Sequence, residues 1–467
     1  MADLRQMSPL AKSTCIGANV LVKNELIVGE PRLGWFVDGN PDTEQIAVML
    51  RDTGAAIELT VPLQGIFADS DPYGRWWSRG VVFADDLDRS KYSYGPPGVL
   101  LMHDHTGGVA LVGCRATGAN QSFRVGQGRI VANFAVIGGQ SLKYEKVHGL
   151  RTGVPALAAW TNLSTMKVNV TTDESNRFKS VGMTLTNAPE VHLTNSLNLR
   201  MKSTWRTETP RGQFLAYESV KLETRAKSAR TWDEHLRLHG AVLDLVSISA
   251  WQAFGFDRVE VMRADDSDPA TEIGESRVQE KWSDVATHRV RKHKPWSVEP
   301  RFLLPYSEVG PRGIDRWLKL RQDYQRAIQP LVSILRSDDH WSDPNIVLAG
   351  IALEALGYLI DVKKNSGLHL DQRKQMKFKT GLQVILDDLP EKPFADTRGW
   401  MDRATDTYMG AKHPDRPELD IIVALNTMRE TLLVIRFWIA QQLGVDAGSL
   451  RDGLHWDPLA HEFVLAE

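Results

Sequence analysis

The sequence predicts an α+β fold: an N-terminal all-β region, sandwich or barrel-like, followed by a C-terminal α-helical bundle. Three observations carry this. Between about Asn19 and Thr224 apolar residues alternate in short runs broken by Gly, Pro, Asn and Asp. From about Ile314 onward they recur at helical spacing instead. One long helical pattern, Thr231 to Phe254, stands between the two regimes.

In chain order, the runs QIAVML, AIELTV, GVVFAD, GVALVGC, RIVANFAVI, MKVNV, VGMTLT and FLAYESVKLET read as strands joined by tight turns. A seam near Trp160 to Thr165 divides them into two packed sheets or two small domains. After the middle helix, FDRVEVMRA reads as a returning strand, and the acidic, turn-rich stretch Ala264 to Ser276 as a surface loop. Ile314, Trp317, Leu318, Tyr324, Ile328, Leu331 and Leu335 mark one amphipathic helix. Asp343 and Pro344 open the next as N-cap and N1 proline, and IVLAGIALEALGYLI is apolar nearly all round, which predicts burial. A third helix covers LDQRKQMKFKTGLQVILDDL up to Pro390, a fourth Thr397 to Gly410, and a fifth Glu418 to Leu443, with Gly444 as C-cap. The expected organisation is 1–163, 164–310 and 311–467.

Composition narrows the function. The 467 residues are 42% hydrophobic and 24% charged with a formal net charge of −2, so any nucleic-acid contact has to come from a local basic patch. Cys15 and Cys114 are far apart and in no metal-ligand spacing, which predicts a reducing, cytoplasmic setting. The N-terminus lacks an apolar signal core, and Arg436 interrupts the apolar run LLVIRFWIAQQL, so no membrane association is expected. There is no phosphate-loop signature, nucleophile elbow or HExxH pattern to support an NTPase, hydrolase or zinc-protease reading.

The order of parts, with VALVGC, RIVANFAVIGG and PALAAWTNL in the first half and FLLPYSEVGPRGIDRWLKL, IALEALGYLI, MKFKTGLQVIL and DTYMGAKHPDRPE in the second, resembles the ApeA-type proteins of bacterial phage defence. In that family a β-rich N-terminal domain precedes a HEPN (higher eukaryotes and prokaryotes nucleotide-binding) helical bundle. The resemblance implies metal-independent RNA cleavage, abortive infection, and an Arg-x4-His motif from two copies meeting in one cleft. It places the histidine at His413, but Tyr408 stands where the arginine is expected. An imidazole titrates near neutrality and can move the ribose 2′-OH proton. A phenol carries no positive charge to replace the guanidinium, a loss of about 3 kcal/mol or roughly a hundredfold in rate. Lys412, Arg416 and Arg403 are the candidate substitutes for that charge, and Tyr408 positions a phosphate oxygen.

Read from the residues alone, His413 before Pro414 is a turn histidine at a helix end; the resemblance makes it the acid and base. Glu354, the one charge in its apolar helix, either orients His413, pairs with Arg403, or reaches the bundle edge. Lys363, Lys364, Arg373, Lys374 and Lys377, with Lys379, form the densest basic cluster of the helical half, a phosphate-tracking surface or a solvated helix face. Tyr73, Arg75, Trp76 and Trp77 form an aromatic–basic patch suited to sensing a partner or to core packing. His103, Asp104 and His105 share a turn without an identifiable third ligand, and no metal is expected. Arg230 and His235 match Arg-x4-His at the start of the middle helix, outside the bundle, and read as structural.

The leading expectation is a cytoplasmic, homodimeric defence effector without cofactor, whose β half senses a phage product and whose bundle cleaves RNA, tRNA among the candidates. The other reading is a catalytically inactive bundle that dimerises or holds an RNA or protein partner.

Overall fold

The computed structural model describes residues 23–39, 44–64, 73–77, 95–266, 280–413, 415–416 and 420–464. Its first strands are β1 (Pro31–Val37), β2 (Ala47–Asp52), β3 (Ile57–Gln64), β4 (Val99–Asp104), β5 (Gly107–Val112), β6 (Arg115–Gln121), β7 (Val125–Ala132) and β8 (Phe134–Ile137). They pair antiparallel in the order β8-β5-β4-β1-β2-β3-β7-β6. Because β7 runs through Asn133 directly into β8, the sheet returns on itself, which is the barrel-like closure. Alternation decides what points inward: Leu59, Val61 and Leu63 of β3 face the barrel core while Glu58, Thr60 and Pro62 face away. In β4, Leu100 and Met102 enter that core, whereas Val99 and Leu101 pack outward with Trp232. Strands β4 and β5 therefore read as continuous apolar runs, being covered on both faces. The anticipated strand GVVFAD, residues 80–85, lies outside the described residues.

A second layer follows. It comprises β9 (Lys146–Gly153), a short helix α1 (Pro155–Thr161), β12 (Val191–Thr194), β13 (Leu199–Glu208), β14 (Leu215–Thr231), β15 (Arg258–Met262) and β16 (Ser283–Thr287). Their order is β12-β13-β14-β9-β15-β16, and β16 also pairs with β8, joining this sheet to the barrel. Helix α1 follows β9, which already belongs to this sheet, and its Trp160 donates to the Leu304 carbonyl at 2.7 Å. Strands β10 (Met166–Thr172) and β11 (Phe178–Leu185) form a separate two-stranded hairpin.

Helix α2 (Trp232–Ala250) starts where the sequence places it, because Thr231 and Glu234 form a reciprocal capping box. Trp232 stacks on Phe134 with ring centroids 4.1 Å apart. Against β9 and β14, α2 buries two histidines one turn apart in a directed chain. His235 Nε2–H donates to the Val147 carbonyl (3.3 Å), leaving Nδ1 to accept from Thr224 Oγ1 (2.7 Å). His239 Nε2–H donates to Thr224 Oγ1 (3.0 Å), and its Nδ1 accepts from Thr152 Oγ1 (2.7 Å). Both rings are neutral in this pattern. Burial pushes His239 down to about 3 and lowers His235 as well. His235 is thus a core residue, and its sequence neighbour Arg230 is exposed beside Glu234 (3.7 Å).

The helical region contains α3 (Tyr306–Asp323), α4 (Gln325–Arg336), α5 (Asp343–Lys364), α6 (Phe378–Asp387), α7 (Thr397–Lys412), α8 (Ile421–Leu443) and α9 (Ala447–Leu454). These seven helices among the described residues replace the five anticipated. The predicted helix through Tyr324 is two helices, since Tyr324 leaves helical geometry (ψ 29°) and turns the chain. The predicted helix from Leu370 begins only at Phe378: Asp371 accepts from the backbone N–H of Arg373 and Gln375 (both 2.8 Å), a turn that competes with helix. Ser342, not Asp343, is the N-cap of α5.

One continuous apolar core runs from Val154 and Leu157 through α2 to Leu450 and Leu459. Trp317 of α3 donates to the Ala241 carbonyl of α2 at 2.7 Å. Arg436, which interrupts the apolar run of α8, is fully buried and forms a bidentate pair with buried Asp457 (2.7 and 2.6 Å). It also donates to the Ile248 and Ser249 carbonyls (2.9 and 3.0 Å), at the C-terminal, negative end of α2. Helix α5 is long and apolar enough to cross a membrane by composition, with 56% of its apolar window buried against its neighbours.

A candidate cleft beside helix α5

Two glycines on α5 shape the region. A Cβ at Gly357 would lie 2.6 Å from the Gly381 carbonyl oxygen, so the pair lets α5 and α6 cross backbone to backbone. A Cβ at Gly350 would fall inside the Tyr408 ring, so its absence lets α7 press that ring onto α5. Tyr408 is buried there, 4.8 Å from the Phe378 ring.

From that anchor a polar chain leads outward. Tyr408 donates its hydroxyl proton to Glu354 Oε2 (2.9 Å), and Lys412 Nζ donates to the Tyr408 oxygen (3.3 Å) while lying 5.0 Å from its ring centroid. Burial, then the Glu354 carboxylate, raises the phenol above its usual range, so it stays protonated. The hydrogen bond to Tyr408 raises Lys412 likewise, which keeps its charge. His413 follows at the C-cap of α7, exposed, with its backbone N–H on the Met409 carbonyl (3.0 Å). Arg416 is exposed too, and its N–H donates to the His413 carbonyl (3.1 Å).

Glu354 does not orient His413 and does not pair with Arg403; it reaches the edge of the bundle. Arg403 instead bridges Asp396 (2.9 Å) and both oxygens of Glu430 (3.0 Å). The apolar helix α5 is likewise uncovered along one stripe, Ile351, Glu354 and Tyr358, at i, i+3 and i+7. That stripe is one wall of a cleft of about 680 Å³. The facing wall comes from the turn before α6, with Lys374, Gln375, Met376, Lys377 and Phe378, and Arg326 of α4 closes the rim.

The basic cluster divides in two. Lys363 pairs with Asp323 (3.1 Å), Lys364 with Asp388 (2.7 Å), and Lys379 with Asp402. Among the described residues, Lys374, Lys377 and Arg326 have no acidic partner, although they line the same cleft as Glu354. Arg373 is exposed on the same turn but does not line the cleft. Lys374 has φ +58°, a left-handed conformation unusual for lysine, held by the N–H of Lys374 on the Asp371 carbonyl (2.9 Å). Sequence reasoning passed over Arg326, Tyr358, Met376 and Phe378. The available signal was the spacing of Tyr358 from Glu354, one turn on.

In the β half, Tyr73 and Trp76 are buried in the barrel core against Phe36, at 4.9 and 6.1 Å between centroids. Trp77 is half-buried over Gly128, its Nε1–H on the Arg129 carbonyl (3.3 Å); the Arg75 side chain is outside the described residues. Asp104 is the hub of the β4–β5 turn, accepting from Arg32 Nε and from the Thr106 N–H and hydroxyl (2.8, 2.8 and 2.7 Å). Burial opposes ionisation there, but these donors hold its carboxyl far below the usual range. His103 and His105 flank it, exposed.

A closed antiparallel barrel joined to a second sheet, continuous with a helical bundle that carries a basic cleft, defines a two-part α+β protein. The family described as ApeA N-terminal domain 1 matches residues 31–318, well over half of the chain, and the chain belongs to it. This is a phage-defence family, so the setting is antiviral defence. The match covers the barrel, the second sheet, α2 and most of α3; the cleft and His413 lie beyond it. No curated protein and no solved structure matches the chain significantly.

Proposed function

We propose that this protein is an abortive-infection effector whose helical region is of HEPN type and cleaves RNA without a metal ion, acting as a homodimer. His413 takes the proton from a ribose 2′-OH. The 2′-oxygen then bonds to phosphorus as the bond to the 5′-oxygen breaks, and an imidazolium, from this copy or its mate, returns a proton to the leaving oxygen. The products are a 2′,3′-cyclic phosphate and a 5′-OH. Lys412 and Arg416 supply positive charge near the developing oxyanions, since the carboxylates of Asp396 and Glu430 occupy Arg403. The Tyr408 hydroxyl orients Lys412.

The observation that carries the reading is an exposed imidazole one residue from Lys412, a lysine tied through Tyr408 to a cleft whose cations lack acidic partners among the described residues. The test incubates RNA with the purified chain, with and without EDTA, alongside His413→Ala. Cleavage that survives chelation, is lost in His413→Ala and leaves cyclic phosphate ends is the expected result. Equal background in both proteins would leave only a binding module.

A further inference from the structure

We infer that the cleft between α5 and the turn before α6 binds a guanine nucleotide, with Glu354 reading the base. The inference concerns equilibrium binding and goes beyond the cleavage reading; it stands whether or not the chain cuts RNA. Three features combine. The volume, about 680 Å³, is in the range of small-molecule sites. The walls are divided by chemistry: Ile351, Ala355, Tyr358, Leu359, Met376 and Phe378 offer apolar and aromatic surface for a planar base, while Arg326, Lys374 and Lys377 offer charge for phosphate. Those three cations form no ion pair among the described residues, whereas Lys363 and Lys364 of α5 and Lys379 of α6 are all paired.

The base follows from Glu354. Its Oε2 accepts from Tyr408 at 2.9 Å, which fixes the carboxylate, while Oε1 accepts no hydrogen bond among the described residues and Glu354 lines the cleft. A carboxylate only accepts. Guanine presents two adjacent donors, N1–H and N2–H, that match its two oxygens. Adenine and cytosine each place an acceptor ring nitrogen beside their amino group, which a carboxylate repels, and uracil offers one donor between two carbonyls. Gln375, on the opposite wall, can donate to guanine O6. The left-handed backbone at Lys374 is the strain expected where a turn is held to present side chains to a ligand.

The experiment uses calorimetric titration of the full chain carrying His413→Ala, so that RNA stays intact whether or not the parent cleaves it. The probes are GMP, AMP, CMP, UMP, guanosine, and the RNA pentamers UUGUU and UUAUU. GMP or UUGUU should bind at least about tenfold more tightly than its counterparts, the discrimination of one bidentate pair. A preference in the mononucleotides assigns the site to a free nucleotide, and one confined to the pentamers assigns it to a guanosine within RNA. Glu354→Gln should abolish the guanine preference and favour AMP, because an amide matches adenine. Lys374→Ala with Lys377→Ala should weaken GMP about tenfold and leave guanosine unchanged. Equal binding of all bases, no binding of any probe, or a guanine preference that survives Glu354→Gln overturns the assignment. Failure of cleavage alone leaves it intact.

Discussion

Two polar networks cross the helical region, and they differ in how completely they are satisfied. Around α2, Arg436 meets Asp457 and two helix-end carbonyls, and the two histidines hand one hydrogen bond to the next until a backbone carbonyl ends the chain. Beside α5, the chain from Lys412 through Tyr408 ends on an exposed carboxylate, in a cleft also lined by three cations that lack acidic partners among the described residues. A network with every group matched has nothing left to offer a ligand and specifies the packing. One that ends in unmatched charge at a cleft keeps its interactions for something else.

The comparison is broken most directly at Arg436. Arg436→Leu leaves Asp457 buried without its cation and removes the cap on α2, and should cost about 3–5 kcal/mol of unfolding free energy in urea titration. Arg436→Leu combined with Asp457→Leu should recover much of that loss. If the single variant were as stable as the parent, the closed network would not hold the two halves together.

The buried histidine chain, a separate satisfied group on α2, adds a pH signature. The folded value for His239 is about 3, against an ordinary value of 6.5. Below 6.5 the unfolded chain takes up a proton that the folded chain refuses. This stability is therefore complete above pH 6.5 and falls as the pH drops toward 3, at roughly 1.4 kcal/mol per pH unit. Denaturation midpoints taken between pH 7 and about 5 should lose roughly 2 kcal/mol from this source, and His239→Gln should flatten the slope. No change of slope would mean that the chain of neutral imidazoles is not present.

At the open network, Gly350→Ala tests whether Tyr408 really needs the gap on α5. The added methyl displaces the ring, and the expected loss is about 1–3 kcal/mol, read by thermal unfolding. RNA cleavage should fall with it, since Lys412 loses its anchor. A stable, fully active variant would separate the ring from the site.

These two networks were unequally legible in the sequence. Local signals worked where structure is local: the start of α2 at Thr231, Gly444 as the C-cap of α8, and the alternation of β2 and β3 all stand as read. The break at Tyr324 and the short helices α1 and α9 carry weak periodicity and were missed. The turn at Asp371 defeated the helical reading, because a side chain competed for the backbone N–H groups. Arg436 was visible as a charge in an apolar run, but Asp457 lies on another segment, and no local spacing announces such a pair. The same applies at the cleft: Glu354 stood out as a lone carboxylate, yet its partner is Tyr408 on α7. Arg326 reads only as one more exposed residue on a helix.

The smallest change separates geometry from chemistry at the site. Tyr408→Phe keeps the ring on Gly350 and Phe378 and removes only the hydroxyl between Lys412 and Glu354. Glu354 is exposed and water can take the lost place, so stability should change by no more than about 1 kcal/mol. If that hydroxyl holds Lys412 where the growing oxyanion needs it, the rate of RNA cleavage should still drop by about tenfold, the effect of roughly 1.4 kcal/mol in the barrier. Single-turnover assays at saturating RNA isolate that term from binding. An unchanged rate would detach Tyr408 from the chemistry and leave Lys412 or Arg416 acting without it.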